Sequence, residues 1–400
     1  MPGLLHRAAL ALLLLLVMSP PLRAQSAGDA AEVAIGYLGQ EVERLPPLSL
    51  VDPVVSEEGV QGARLGIADN NTTGQFTKQH FSLAETVVPL EGDVTAAFKA
   101  LVAAGHRLIV ADLPAEALLA VADLPEAKDT LIFNVRARDD ALRGEQCRAN
   151  VLHVMPSYAM LADGLAQYLL WKRWTHWFLV VGAGADDALF AAALKRSAER
   201  FSAEIVEERE YDADPGARRS ESGHVQIQKQ MPVFTQDVEY DVLVVSDVRD
   251  AFGQYLPYRT WLPRPVVGTH GLVPLAWHRS HEQWAGTQMQ NRFTEFSGRW
   301  MTERDYAAWV AVRAVSEATT RTQKTDLAAI VEYLHGDQFG LAGFKGQKLT
   351  FRAWDGQMRQ PILLAEARTI VSVSPQEGFL HEASELDTLG VDRPETECRM

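Results

Sequence analysis

The sequence has very little cysteine and no long apolar run after its first twenty residues. Cys147 and Cys398 are the two cysteines among 400 residues, which argues against a cysteine-rich metal site or a disulfide framework. In an oxidising compartment these two could form one disulfide, and the sequence leaves both alternatives open, a bond or two free thiols. No later stretch approaches the ~20 consecutive apolar residues that a membrane-spanning helix needs.

Positive charge is also scarce. The chain carries 38 Lys and Arg against 52 Asp and Glu, a formal net charge of −14. Such an acidic surface repels a phosphate backbone, so nucleic acid is not an expected partner. Any anionic ligand would need a local cluster of positive groups.

Catalytic motifs are missing as well: there is no G-x-S-x-G, P-loop or H-E-x-x-H. Gly182 and Gly184 imitate a dinucleotide fingerprint, but Asp187 stands where the third glycine belongs, so we predict a tight strand-to-helix turn. His278 and His281 could share a helix face and bind a metal. No third ligand is evident, and we interpret them as surface histidines. We expect a protein that is not an enzyme, with no metal site and no required cofactor.

An export signal is present at the N-terminus. Arg7 precedes the apolar run Ala8–Val17, and Ala24 offers a small residue for cleavage. We expect residues 1–24 to be a signal peptide cleaved near Ala24. Because no cysteine follows to carry a lipid, we expect the mature chain to be free in the periplasm.

Short apolar runs then alternate with amphipathic segments. The runs fall in two groups, the first at 32–38, 81–90, 107–111 and 130–134 and the second at 177–181, 240–245 and 265–268. Short apolar strands between helices are typical of a parallel sheet covered on both faces. Because the pattern restarts after residue 150, it predicts an α/β chain with two Rossmann-like lobes and a ligand cleft between them.

The order of elements resembles the leucine/isoleucine/valine-binding family of periplasmic binding proteins, the type I fold. The resemblance rests on the opening strand 33–38, the segment 62–70, which is similar to a family helix motif, and the closing segment 349–356. It implies three crossings between the lobes, with 29–153 plus 293–342 in lobe 1 and 154–292 plus 343–400 in lobe 2. It also implies a monomer that closes on a small molecule and docks to an ABC permease.

The positions that hold an amino acid in that family are altered here. The hydroxyls expected after the third and fourth strands are absent, and Arg136 and Arg138 follow the fourth strand. Arg249 follows a later strand, and His270 stands roughly at the family's acidic amine anchor. Since guanidinium groups suit carboxylates, we expect these four residues to line the cleft and hold a carboxylated ligand.

The chain as a whole is similar to the subfamily associated with pyrroloquinoline quinone-dependent alcohol oxidation. That resemblance implies as ligand either pyrroloquinoline quinone, a flat aromatic tricarboxylate, or a metabolite of quinoprotein alcohol oxidation. Tyr37 and Trp277 are expected to contact its ring. Two alternatives use the same fold: a ligand-sensing receptor or regulator, and a periplasmic cofactor chaperone.

Overall fold

Two parallel sheets, each covered by helices, form the frame of the molecule. The computed structural model describes residues 30–43, 55–213 and 220–399, so the expected signal peptide lies outside the described residues. The predicted α/β class with two parallel sheets is confirmed. Within the described ranges, no helix has the length and apolar character needed to cross a membrane.

The first sheet has five parallel strands in the order β2-β1-β3-β4-β5. Its strands are β1 (Ala31–Gln40), β2 (Gln79–Val88), β3 (Leu108–Asp112), β4 (Leu131–Asn134) and β5 (Val151–His153). Its connecting helices are α1 (Val60–Thr77), α2 (Val94–Ala103) and α3 (Ala115–Ala122). The central strands β3 and β4 are buried at every position, which is why they appear in the sequence as unbroken apolar runs.

The second sheet has four parallel strands in the order β7-β6-β8-β9. Its strands are β6 (His176–Gly182), β7 (Glu204–Tyr211), β8 (Val242–Ser246) and β9 (Val266–Gly268). Its helices are α4 (Tyr158–Trp171), α5 (Ala185–Arg200), α6 (Glu221–Phe234) and α7 (Leu256–Arg259). Between β6 and α5 the Asp187 carboxylate accepts the Gly184 N–H at 2.8 Å, so this glycine-rich segment is a helix-capping turn.

Two small antiparallel sheets and three more α-helices also belong to the described chain. One sheet contains β10 (Val273–Leu275), β14 (Ile362–Glu366) and β15 (Thr369–Ser374); the other contains β11 (Leu341–Ala342), β12 (Lys348–Phe351) and β13 (Met358–Arg359). The helices are α8 (Gly286–Ser297), α9 (Glu303–Thr322) and α10 (Leu327–His335).

The chain crosses between the two lobe cores three times. Each crossing lies between a pair of core residues assigned to different lobes: Met155 and Tyr158, Leu272 and Trp277, Met358 and Ile362. The predicted boundaries put the second crossing at 292/293 and the third at 342/343. The second therefore comes earlier and the third later than predicted, because α8 and the β12–β13 hairpin direct apolar side chains into the first core.

A disulfide joins Cys147 to Cys398, 251 residues later. Cys147 belongs to the first lobe, between β4 and β5. The C-terminal tail lies on the second lobe, where the Gly390 carbonyl accepts hydrogen bonds from Arg196 on α5 at 3.2 Å and from Arg200 at 2.7 Å. The bond therefore fastens a tail packed on one lobe to the other lobe, and it settles the alternative that the sequence left open.

Candidate ligand site between the lobes

The carboxyl ends of both parallel sheets lie at the space between the lobes. In the first lobe β3 ends at Asp112 and β4 at Asn134; in the second, β8 ends at Ser246 and β9 at Gly268. This edge of an open parallel sheet is where ligands bind, because the loops after the strands converge there. Most of the side chains nominated from the sequence follow these strand ends.

A cavity of about 300 Å³ lies at this junction. The first lobe contributes Arg138 and Glu303 to its wall, and the second lobe contributes Tyr158, Phe190 and His270 among others. The volume is at the lower end of the range of about 300–1,000 Å³ that small-molecule sites occupy. Its wall combines apolar side chains with a few polar groups, which suits a ligand that has an apolar body and a charged end.

A larger cavity of about 1060 Å³ lies elsewhere, between β7 and α6. Its wall includes Tyr211, Val225 and Val233, and all the residues that line it belong to the second lobe. A groove confined to one lobe is not enclosed when two lobes close. We therefore place the candidate site at the junction rather than in the larger groove.

Arg138 lines the junction from the first lobe and is incompletely paired. Its Nη2 donates to Glu303 Oε2 at 2.8 Å, and both side chains are 19% exposed. Its Nη1 is buried without an acceptor among the described residues. A buried donor without a partner costs about 1–3 kcal/mol, and a ligand oxygen bound beside Arg138 would remove that cost.

Arg136 lies two residues earlier and is half-buried. Its Nη1 donates to the Gln40 carbonyl oxygen at 3.1 Å. Burial lowers the pKa of the guanidinium, and the neighbouring Arg304 lowers it further. The charge of Arg136 also acts on Asp186 in the facing lobe. Burial and the nearby carboxylates of Asp139 and Asp187 raise the pKa of Asp186, and Arg136 opposes that rise.

Tyr37 belongs to a separate charged network on the first lobe. Its hydroxyl donates to Asp112 Oδ2 at 2.7 Å, and Arg304 donates to the same carboxylate and to Glu58. Burial, together with Asp112, raises the pKa of Tyr37 well above its usual value. Tyr37 lines a neighbouring polar cavity of about 470 Å³ rather than the junction cavity.

His270 lines the junction cavity, whereas Arg249 does not. The His270 Nε2 pairs with Asp250 Oδ1 at 3.0 Å, and its Nδ1 lies 3.1 Å from Thr269 Oγ1. Arg249 is exposed on the surface. Of the four residues expected to hold a carboxylate, the structure thus brings Arg138 and His270 into one cavity and leaves Arg136 and Arg249 outside its wall.

Asp247, Asp250 and His270 form a close group of possible metal ligands. One ligand atom from each lies within 4.8 Å of the others. The Asp247 carboxylate already accepts three backbone N–H groups, from Ala251, Phe252 and Gly253. Its oxygens close the turn after β8, so the group is explained as a loop-closing carboxylate beside a histidine–aspartate pair.

Trp277 is in the first-lobe core, so the expectation that it contacts a ligand ring is wrong. It is 2% exposed, stacks on Tyr306 with ring centroids 4.7 Å apart and donates from Nε1 to Gln290 Oε1 at 3.2 Å. The chain turns toward the first core immediately after Ala276. The interpretation of His281 as a surface residue is also wrong, since it is 2% exposed and donates from Nε2 to the Phe344 carbonyl at 2.7 Å.

Sequence reasoning missed two important residues of the cavity wall. Glu303 occupies the first turn of α9, directly after the cap Thr302, whose side chain accepts the Asp305 N–H. The Thr-x-x-Asp spacing is a signal for a helix start and could have drawn attention to Glu303. Tyr158 opens an almost wholly buried helix, and no local pattern distinguishes it from its core neighbours.

Solved structures with a similar fold include periplasmic and ABC transporter binding proteins of similar size. A periplasmic binding protein from Burkholderia mallei has a TM-score of 0.65 at 15% identity, covering 92% of this chain and 99% of that chain. A leucine-, isoleucine-, valine-, threonine- and alanine-binding protein from Brucella ovis, in closed conformation, has a TM-score of 0.65 at 14% identity, covering 92% and 98%.

A third similar structure is an ABC transporter substrate-binding protein from Desulfitobacterium hafniense in complex with Leu. Its TM-score is 0.59 at 14% identity, covering 85% of this chain and 98% of that chain. No family model and no curated protein sequence matches the chain. These similarities show that the chain has the type I periplasmic binding protein fold.

Proposed function

We propose that this protein is the periplasmic solute-binding component of an ABC importer and that its lobes close around a small carboxylated ligand. The two-lobed fold, which ABC transporter binding proteins share at TM-scores near 0.65, supports the class. The cavity built by both lobes supports the mechanism. A ligand that contacts both lobes binds the closed arrangement better and shifts the population toward it, which an ABC permease then recognises.

The observation that carries the ligand class is the buried, unpaired Nη1 of Arg138 in the cavity wall. A carboxylate beside it would gain a charge-assisted hydrogen bond. The apolar part of the ligand would pack on Tyr158, Leu161 and Phe190, which line the same cavity.

A ligand without an amine fits this cavity better than a free amino acid. The carboxylates of its wall have partners already: Asp247 accepts three backbone N–H groups, Asp250 pairs with His270, and Glu303 pairs with Arg138. An ammonium group would have to displace one of them. Pyrroloquinoline quinone, which the sequence resemblance implies, is the first compound to test, followed by aromatic and short-chain carboxylates.

Thermal shift and isothermal titration calorimetry on the mature protein test the proposal. The panel contains pyrroloquinoline quinone, aromatic and short carboxylates, alcohols and leucine. A ligand that binds the native state alone raises its stability by about 2.7 kcal/mol at a hundredfold excess over Kd. We expect a carboxylate without an amine to raise Tm and leucine to leave it unchanged; binding of leucine but of no amine-free carboxylate would overturn the proposed ligand class.

Arg138→Gln with Arg249→Gln as matched control locates the site. A hydrogen bond to a charged group contributes about 1.5–3 kcal/mol, so Arg138→Gln should weaken carboxylate binding by about 10- to 150-fold. Arg249→Gln removes the same charge outside the cavity and should leave Kd within about twofold. Equal Kd values for the two variants would remove Arg138 from the site.

A further inference from the structure

One lysine is buried where the crossings between the lobes meet. Lys345 lies in the loop between β11 and β12 and is 1% exposed. Its Nζ donates to Gln360 Oε1 at 2.7 Å and to the Pro361 carbonyl oxygen at 3.1 Å. Both acceptors belong to the third crossing, so a first-lobe side chain holds the segment that leads into the second lobe.

The other two crossings are tied to the same place. Gln360 donates from Nε2 to the Val154 carbonyl at 2.6 Å, immediately before the first crossing. Glu303, whose charge acts on Lys345, accepts the Ala276 N–H at 2.6 Å in the second crossing. Lys345 and Gln360 therefore link the first and third crossings directly. Glu303, whose charge acts on Lys345, binds the second crossing.

The surroundings of Lys345 are almost entirely neutral. Its partners are an amide, a backbone carbonyl and the ring of Tyr306, whose centroid is 4.7 Å from Nζ. Burial disfavours the charged amine and lowers the pKa of Lys345 to about 7, and Glu303 partly opposes this. The other titratable groups that face it are Tyr306, whose pKa burial raises, and His281, whose pKa burial lowers, so both are neutral near pH 7.

We infer that Lys345 is a positioning residue that fixes the relative arrangement of the lobes while its amine is neutral, and that uptake of a proton loosens the arrangement. The two N–H groups of the neutral amine are enough for the Gln360 and Pro361 acceptors, whereas the buried cation carries a desolvation cost. An arrangement that gives Lys345 more access to water relieves this cost, so protonation favours it. The inference rests on the proposed function in that it concerns regulation of lobe closure.

A measurement of the distance between the lobes tests this effect of the Lys345 proton directly. Spin labels on Glu116→Cys and Ala188→Cys would report the separation, because both positions are exposed and lie in the first turns of α3 and α5, in opposite lobes. Without ligand, we expect the distance distribution of the native chain to narrow as pH rises, with a midpoint near pH 7. Lys345→Met should show no change between about pH 6 and 9, because it has no proton to lose.

Two controls isolate the lysine. Lys348→Met removes an exposed lysine of the same hairpin and should keep the native pH dependence. His281→Gln should also keep the midpoint near pH 7, since the inference assigns the transition to Lys345. If Lys345→Met unfolds, Lys345→Gln retains a polar contact to Gln360 and serves in its place.

A distribution that does not change with pH in the native chain, or that changes identically in Lys345→Met, would overturn the inference. The measurement needs no ligand, so it is separable from the proposed function. A Lys345-dependent transition in a protein that binds none of the panel would refute the carboxylate proposal and leave the hinge inference standing.

Discussion

Arg136 and Arg138 are two residues apart on one loop, yet their surroundings give them different roles. Arg138 is paired with Glu303 and has one buried nitrogen to offer. Arg136 donates to a backbone carbonyl and influences Asp186 on the facing lobe. We expect Arg138 to hold a bound carboxylate and Arg136 to attract it during approach.

Stopped-flow binding separates these roles. Arg136→Gln should lower the association rate of a carboxylate by up to about tenfold and reduce its salt dependence, because long-range attraction acts on encounter. Arg138→Gln should mainly raise the dissociation rate. Identical rate effects in the two variants would mean that both arginines contact the ligand.

Trp277 is a stability residue, and its removal should show this. Trp277→Ala deletes a buried ring that stacks on Tyr306, so we expect a loss of about 3–5 kcal/mol in the free energy of unfolding in urea. Trp261→Ala, at a position 59% exposed, should change it by no more than about 0.5 kcal/mol. A folded, equally stable Trp277→Ala variant that had lost ligand binding would restore the original expectation.

Lys345 should also make the stability of the protein depend on pH. Its pKa is about 7 in the folded chain and about 10.4 in an unfolded one. Between these pH values the unfolded state binds more protons than the folded state, so the free energy of unfolding rises with pH from about 7 toward 10. Below about pH 7 the lysine is protonated in both states, and its unfavourable contribution to the free energy of unfolding is constant. Urea unfolding at several pH values should show this rise relative to Lys345→Met, and parallel curves would contradict it.

At the scale of elements, helices α1 and α9 approach closely at Gly62. A Cβ at this position would lie 1.8 Å from the Asp305 carbonyl oxygen, and the Asp305 side chain accepts the Gly59 N–H at 2.8 Å. The contact therefore joins the start of one helix to the start of the other. Only a glycine allows both helices to keep these positions.

Gly62→Ala should consequently destabilise the first lobe. Overpacking of this kind costs about 1–3 kcal/mol, measurable as a lower urea midpoint. At Gly340 a new Cβ would meet only the flexible Lys348 side chain, at 3.1 Å, so Gly340→Ala serves as the control and should lower the midpoint much less. Similar losses in both variants would show that the close approach at Gly62 is not the cause.

The sequence predicted the parallel strands well because burial on both faces makes them unbroken apolar runs. The runs 107–111 and 130–134 correspond closely to β3 and β4. It also predicted that Arg138 and His270 follow strand ends at the cleft. Both predictions depend on local patterns and on the rule that ligands bind at the carboxyl edge of such sheets.

The crossings and the rest of the cavity could not be predicted in the same way. Trp277 and Phe351 belong to the first core because of where the chain turns after β10 and within the last hairpin, and such turns depend on contacts between distant segments. Arg249 follows a strand as Arg138 does, but its side chain is exposed. A strand-end position alone does not determine which way a loop side chain faces.

For the molecule as a whole, the disulfide adds one covalent link between the lobes to the three chain crossings. The loss of unfolded-chain entropy for a loop of this length corresponds to about 5 kcal/mol, and disulfides typically contribute about 2–4 kcal/mol. We expect Cys147→Ser/Cys398→Ser to lower Tm accordingly and to abolish the further destabilisation that a reductant causes in the native protein. An unchanged Tm would show that the tail is held by its contacts to the second lobe alone.

The position of Cys398 also determines when this bond can form. The chain passes between the lobes three times, and every strand and helix described above precedes Cys398 in the chain. During synthesis from the amino end, Cys147 emerges long before its partner. The bond therefore cannot guide the early assembly of either sheet. It can form only after all the described strands and helices have been synthesised, and it then constrains the arrangement that other contacts have produced.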